Sequence, residues 1–98
     1  MTIDLDFFEY LYMKAKLSFK ECIVNPDNNY LNNEIDSHLD EIILLEDFIS
    51  LKFVEYKLDK FVAEVKFLLT SKEGRLIGHY FYYEDEKSIP IDDKLIFD

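Results

Sequence analysis

Between Cys22 and Leu51 the chain carries seven acids, Asp27, Glu34, Asp36, Asp40, Glu41, Glu46 and Asp47, and no lysine or arginine. Carboxylates in such number can serve as general acids or bases, but only where a pocket brings two of them together, and no spacing in the run points to one. What the run does supply is a field. The run reads either as a solvated helix face or, since like charges at helical spacing cost roughly a few tenths of a kcal/mol per pair, as a surface kept for a use other than helix stability. An acidic ridge of Glu34, Asp36, Asp40, Glu41, Glu46 and Asp47 complements a phosphate-binding or otherwise cationic protein surface.

The remaining residues capable of chemistry are isolated. Asp36 and Asp40 flank His38, yet residues two apart on a helix point in different directions, and His79 has only glycine and aromatic neighbours. Neither histidine belongs to a metal-ligand motif, so no metal or other cofactor is expected. Cys22 has no local base and reads as a small buried hydrophobe; Gly74 and Gly78 do not form a phosphate-cradling loop. No enzyme is expected. A second cluster, Tyr80-Phe81-Tyr82-Tyr83 followed by Glu84, Asp85 and Glu86, suits binding instead. On a strand the aromatics alternate between faces, which places Tyr80 and Tyr82, or their neighbours, with Tyr56 in an exposed patch. Tyrosine concentrates at binding hot spots because it buries much area at little entropic cost.

The elements that position these residues follow from periodicity. Asp4 caps a helix over about residues 4–22, whose apolar positions Leu5, Phe8, Tyr12, Ala15, Phe19 and Cys22 or Ile23 keep three-and-four spacing. Lys14, Lys16 and Lys20 lie toward its C-terminal half, where the macrodipole favours them. Asn25-Pro26-Asp27-Asn28-Asn29 is a loop. Leu31, Ile35, His38 or Leu39, and Ile42 then predict a second helix over about 30–44, with Ile42–Leu45 as the alternative start of the first strand. From Phe48 to Tyr83 the chain reads as strands. Phe61, Ala63, Val65, Phe67 and Leu69 alternate with polar Glu64 and Lys66, and Glu73-Gly74 makes a tight reversal before Leu76–Tyr83. The apolar phase shifts by one residue at Phe53-Val54, which predicts a bulge there, and Asp59-Lys60 forms a short connection. Glu84-Asp85-Glu86-Lys87-Ser88 is a charged reversal, Ile89-Pro90-Ile91 is extended, and Asp92-Asp93 reads as a turn before a last edge strand over Lys94–Phe97. The fold class is α+β: two N-terminal helices packed on one face of a four-stranded antiparallel meander sheet, in a single domain over 1–98.

Composition narrows the partners. With 21 acids against 11 bases, a formal charge of −10 repels nucleic acid and anionic membrane and attracts basic proteins. The expected partner is therefore a basic protein, with no direct nucleic-acid or membrane contact, and the chain itself a monomer or weak dimer. A single cysteine fits a reducing compartment, and the acidic N-terminal stretch does not read as a signal peptide; a cytoplasmic location is expected.

In architecture and composition, with helices leading and the aromatic-acidic stretch GRLIGHYFYYEDEKSIPIDDKLIF closing the chain, the protein resembles bacterial immunity proteins of polymorphic, contact-dependent growth-inhibition toxin systems. The resemblance implies a cytoplasmic antidote that binds one cognate toxin, commonly the C-terminal nuclease domain of a larger protein, and blocks it. It carries over no functional residue. Two other readings accompany it: a phage-type DNA mimic that inhibits a host nucleic-acid enzyme, motivated by the same acids, and a small-molecule binder resembling the nuclear transport factor 2 or cystatin-like groups, with the sheet curved around a pocket by the Phe53-Val54 bulge.

Overall fold

A computed structural model describes residues 4–24 and 41–98. These hold one helix, α1 (Leu5–Val24), and four strands, β1 (Ile43–Phe53), β2 (Phe61–Thr70), β3 (Leu76–Asp85) and β4 (Pro90–Phe97). The strands pair antiparallel in sequence order, so the α+β meander stands. Of the second helix expected over 30–44, residues 30–40 lie outside the described residues, and Ile43 and Leu44 belong to β1.

Asp4 caps α1 through its Oδ1, which accepts the Phe7 amide at 3.0 Å. The buried stripe of the helix is Leu11, Ala15 and Phe19, with Phe7, Tyr12 and Ile23 packed beside it. Leu5, expected on that stripe, is 71% exposed. Phe7 takes its role by meeting Phe61 edge-on at 6.4 Å, which turns the face by part of a residue step.

On β2 the expected alternation holds: Phe61, Ala63, Val65, Phe67 and Leu69 are buried, and the residues between them are half-buried on the other face. Phe67 meets Tyr12 at 5.5 Å and Phe19 meets Tyr80 at 5.2 Å, both tilted or edge-on, an arrangement that suits the ring quadrupoles. Large side chains of α1 and the sheet thus meet at their interface.

The connections differ from expectation in three places. β1 does carry a bulge, but between Glu46 and Phe48, leaving Asp47 as the extra residue, and Phe53 still pairs with Phe61. The phase change at Phe53-Val54 marks the end of the strand. Beyond it the connection is longer than Asp59-Lys60: it runs from Val54 to Lys60, closed by Val54 N donating to Lys60 O at 2.8 Å. Glu55 and Tyr56 within it take left-handed φ of 57° and 58°, so the alternation of Val54, Tyr56 and Leu58 is not that of a strand. Finally, Asp92 and Asp93 lie inside β4, opposite Tyr83 and Tyr82. The charged reversal expected over Glu84–Ser88 is present at Asp85–Ser88, where the Asp85 carboxylate accepts the Lys87 and Ile89 amides at 2.8 and 3.0 Å. The β2–β3 hairpin is as expected, with Gly74 at φ 86°. Gly78 is required for a different reason: a Cβ there would collide with the backbone oxygen of Ile96 on β4.

Candidate functional site

Strand β3 sorts its chemistry by parity. Tyr80, Tyr82 and Glu84 face α1, while His79, Phe81, Tyr83 and Asp85 face away from it, as their pairing with the buried and half-buried positions of β2 requires. Tyr80 and Tyr82, expected at the surface, are core residues, and Glu84 is 2% exposed. None of the three can touch a partner in this fold. Helix α1 reaches over exactly the side of the strand on which they lie.

Their polar ends are engaged with one another. Lys14 Nζ is 3.2 Å from Glu84 Oε1 and donates to the Ser88 carbonyl at 2.6 Å, while the Tyr82 hydroxyl donates to the same Glu84 oxygen at 3.0 Å. One turn further along α1, the Ser18 hydroxyl lies 2.7 Å from the Tyr80 hydroxyl, which donates to Asp93 Oδ2 at 2.9 Å. Burial, then the hydrogen bond to Glu84, pushes the Tyr82 phenol up to about 12. The Tyr80 phenol is pushed well above its ordinary range, chiefly by burial. Burial lowers the Lys14 ammonium, but its hydrogen bonds to Glu84 and Tyr10 outweigh that and leave it raised. Cys22, half-buried nearby, has its thiol raised by burial and by the Asp93 charge. A tyrosine held neutral and a lysine held charged are poor proton shuttles at neutral pH; these groups fasten α1 to β3 and β4.

The opposite face gathers a different set. Lys66 is 3.0 Å from Asp47 Oδ2 and lies 5.6 and 5.7 Å from the ring centres of Phe48 and Phe81, within cation–π range. The Tyr83 hydroxyl donates to Glu64 at 2.8 Å, and burial followed by that bond pushes its phenol up to about 12. Lys52 approaches Glu64 at 3.8 Å, and Lys94 lies 5.9 Å over the Tyr83 ring. Phe81 and Tyr83 are thus the aromatic pair on this side, as the alternation allowed; Phe48 and Lys66 were not anticipated as their company.

The other expected residues are dispersed. Tyr56 is 105% exposed, but in the Val54–Lys60 connection and apart from Tyr80 and Tyr82. Glu41 is 3.5 Å from Lys72, and Glu46 is 3.4 Å from Lys16. Asp47 holds Lys66, and Asp85 organises the β3–β4 turn. Glu34, Asp36, His38 and Asp40 lie outside the described residues. Among the described residues no group of three or more His, Cys, Asp or Glu is placed to hold a metal ion, and no helix is long and apolar enough to cross a membrane. No protein-family model, curated protein or solved structure matches the chain.

Proposed function

We propose that this chain is a non-catalytic binding protein of the immunity type: it holds a cationic protein, the toxin domain of a growth-inhibition system, in a one-to-one complex in the cytoplasm and blocks it. The observation that carries this reading is the charge distribution, 21 acids against 11 bases with a base-free stretch of seven acids between Cys22 and Leu51. Two of those acids among the described residues support it. Glu41 and Glu46 make only exposed pairs with lysines, worth roughly 0–1 kcal/mol, so a partner's cations can displace those lysines cheaply. Within the fold, the groups that might have done acid–base work, Lys14, Glu84, Tyr80, Tyr82 and Asp93, are spent on packing the helix against the sheet.

With Tyr80, Tyr82 and Glu84 in the core, the contact surface under this reading consists of the acids from Glu34 to Asp47 and the exposed Tyr56. The bulge that the small-molecule reading placed at Phe53-Val54 lies instead between Glu46 and Phe48, so that reading has less to support it. The test is isothermal titration against the purified product of the reading frame immediately upstream. A basic product that binds one-to-one supports the reading; an acidic or neutral product that gives no heat and no complex removes it.

A further inference from the structure

A helix fastened to a sheet by one stripe ordinarily turns a polar face to water. On α1 that face is only partly polar: Met13 and Leu17 are 53% and 52% exposed, with Tyr10 beside them. At about 100° per residue, Asp6, Glu9, Tyr10, Met13, Leu17 and Lys20 all fall on the side opposite Leu11, Ala15 and Phe19. An open groove of about 400 Å³ borders this side on the flank next to β1, lined by Tyr12, Met13, Lys16, Leu17 and Lys20 of the helix and by Glu46 of β1. Of the charges on this side, Asp6 and Glu9 come before Met13 and Lys20 after it, with Glu21 at its margin.

We propose that this side of α1 is the contact of a symmetric dimer, in which α1 of a second copy packs across it antiparallel with Met13 on the two-fold axis. A two-fold contact must be self-complementary, so that each residue meets its counterpart's counterpart, and α1 satisfies that condition. With Met13 against Met13, Asp6 faces Lys20 of the second copy and Lys20 faces Asp6, while Tyr10 faces Lys16 and Glu9 faces Leu17, one helical step from Lys16 and Lys20. The apolar side chains meet at the centre and the opposite charges at both ends. A parallel pair would set acids on acids. Helices packed in this way cross at small angles, and their exposed side chains fill each other's grooves, which is what the hollow beside Met13 and Leu17 accommodates. One helix pair buries an area at the low end of specific interfaces and each copy carries a formal charge of −10, so the dimer is weak, with a Kd on the order of 0.1 mM at physiological ionic strength.

Sedimentation velocity of the full chain from about 10 μM to about 1 mM tests this. The wild type is expected to move from monomer to dimer across that range, and Met13→Glu, at an exposed site where the fold is untouched by circular dichroism, to remain monomeric throughout. Asp6→Lys is expected to weaken the dimer at least several-fold, and Asp6→Lys combined with Lys20→Asp to restore it. A wild type monomeric at every concentration overturns the proposal, as does a dimer indifferent to Met13→Glu. A double variant no better than Asp6→Lys alone overturns the antiparallel register. None of these outcomes depends on the toxin partner.

Discussion

The two faces of β3 are built from nearly the same residue types and come to opposite ends. Toward α1 stand Tyr80, Tyr82 and Glu84; away from it stand Phe81, Tyr83 and Asp85. Under the helix the phenols and the carboxylate are withdrawn from water, so each needs a partner, and each has one in Ser18, Asp93, Lys14 or a neighbour. On the other face Lys66, Glu64 and Tyr83 also pair, but these residues are only half-buried. The contrast teaches that residue type alone does not mark an interaction surface on a strand; the element packed above it assigns burial, and burial sets what each bond is worth.

The comparison can be broken by substituting matched positions on the two faces and following urea denaturation. The largest difference is expected at the rings. Phe67→Ala, inside, costs about 4 kcal/mol, whereas Phe81→Ala, outside, costs about 1 kcal/mol; equal losses would mean that the outer face is as tightly packed as the inner. Next come the carboxylates. Glu84→Ala takes the charge partner from Lys14 and the acceptor from the Tyr82 hydroxyl and costs about 3 kcal/mol, while Asp85→Ala gives up two exposed turn bonds for about 1 kcal/mol. Among the phenols, Tyr80→Phe breaks a buried bridge for about 1.5 kcal/mol, against about 0.5 kcal/mol for Tyr83→Phe.

The same phenols give a pH signature that sets a limit on the contrast. Their folded-state pKa values lie above the ordinary 10.0, at about 12 for both Tyr82 and Tyr83. Below pH 10 or so both states keep the proton, and the stability they contribute is fully present. From about pH 10 toward about pH 12 the unfolded chain releases protons that the folded chain retains, so stability falls across that window. Tyr82→Phe and Tyr83→Phe are each expected to flatten the alkaline decline, by similar amounts, because the two phenols are raised alike. A decline unaffected by either substitution would place the alkaline sensitivity elsewhere.

What could be read from the residues in advance depended on whether local pattern or distant contact decided the outcome. β2 was legible because apolar side chains alternate with Glu64 and Lys66, so only one face can be the core. The hairpin at Gly74 and the Asp4 cap were legible because backbone geometry demands those residue types locally. β3 was legible as the returning strand, but the face each side chain takes was not, since four consecutive aromatics suit either. Asp92-Asp93 has the composition of a turn, yet Tyr80 captures Asp93 from the neighbouring strand, a contact thirteen residues apart. Val54, Tyr56 and Leu58 keep a strand's alternation while Glu55 and Tyr56 turn the backbone left-handed. Of the expected binding residues, Tyr80, Tyr82 and Glu84 were misplaced because the faces of β3 were not legible.

The central claim, that negative surface draws a cationic protein into a blocking complex, is tested most directly by the association rate with the upstream gene product at rising salt. The account predicts a rate that falls steeply as salt screens the attraction, and a slower, flatter profile for Asp36→Lys with Asp40→Lys. A rate independent of salt, with the charge-reversed variant indistinguishable from the wild type, would contradict it.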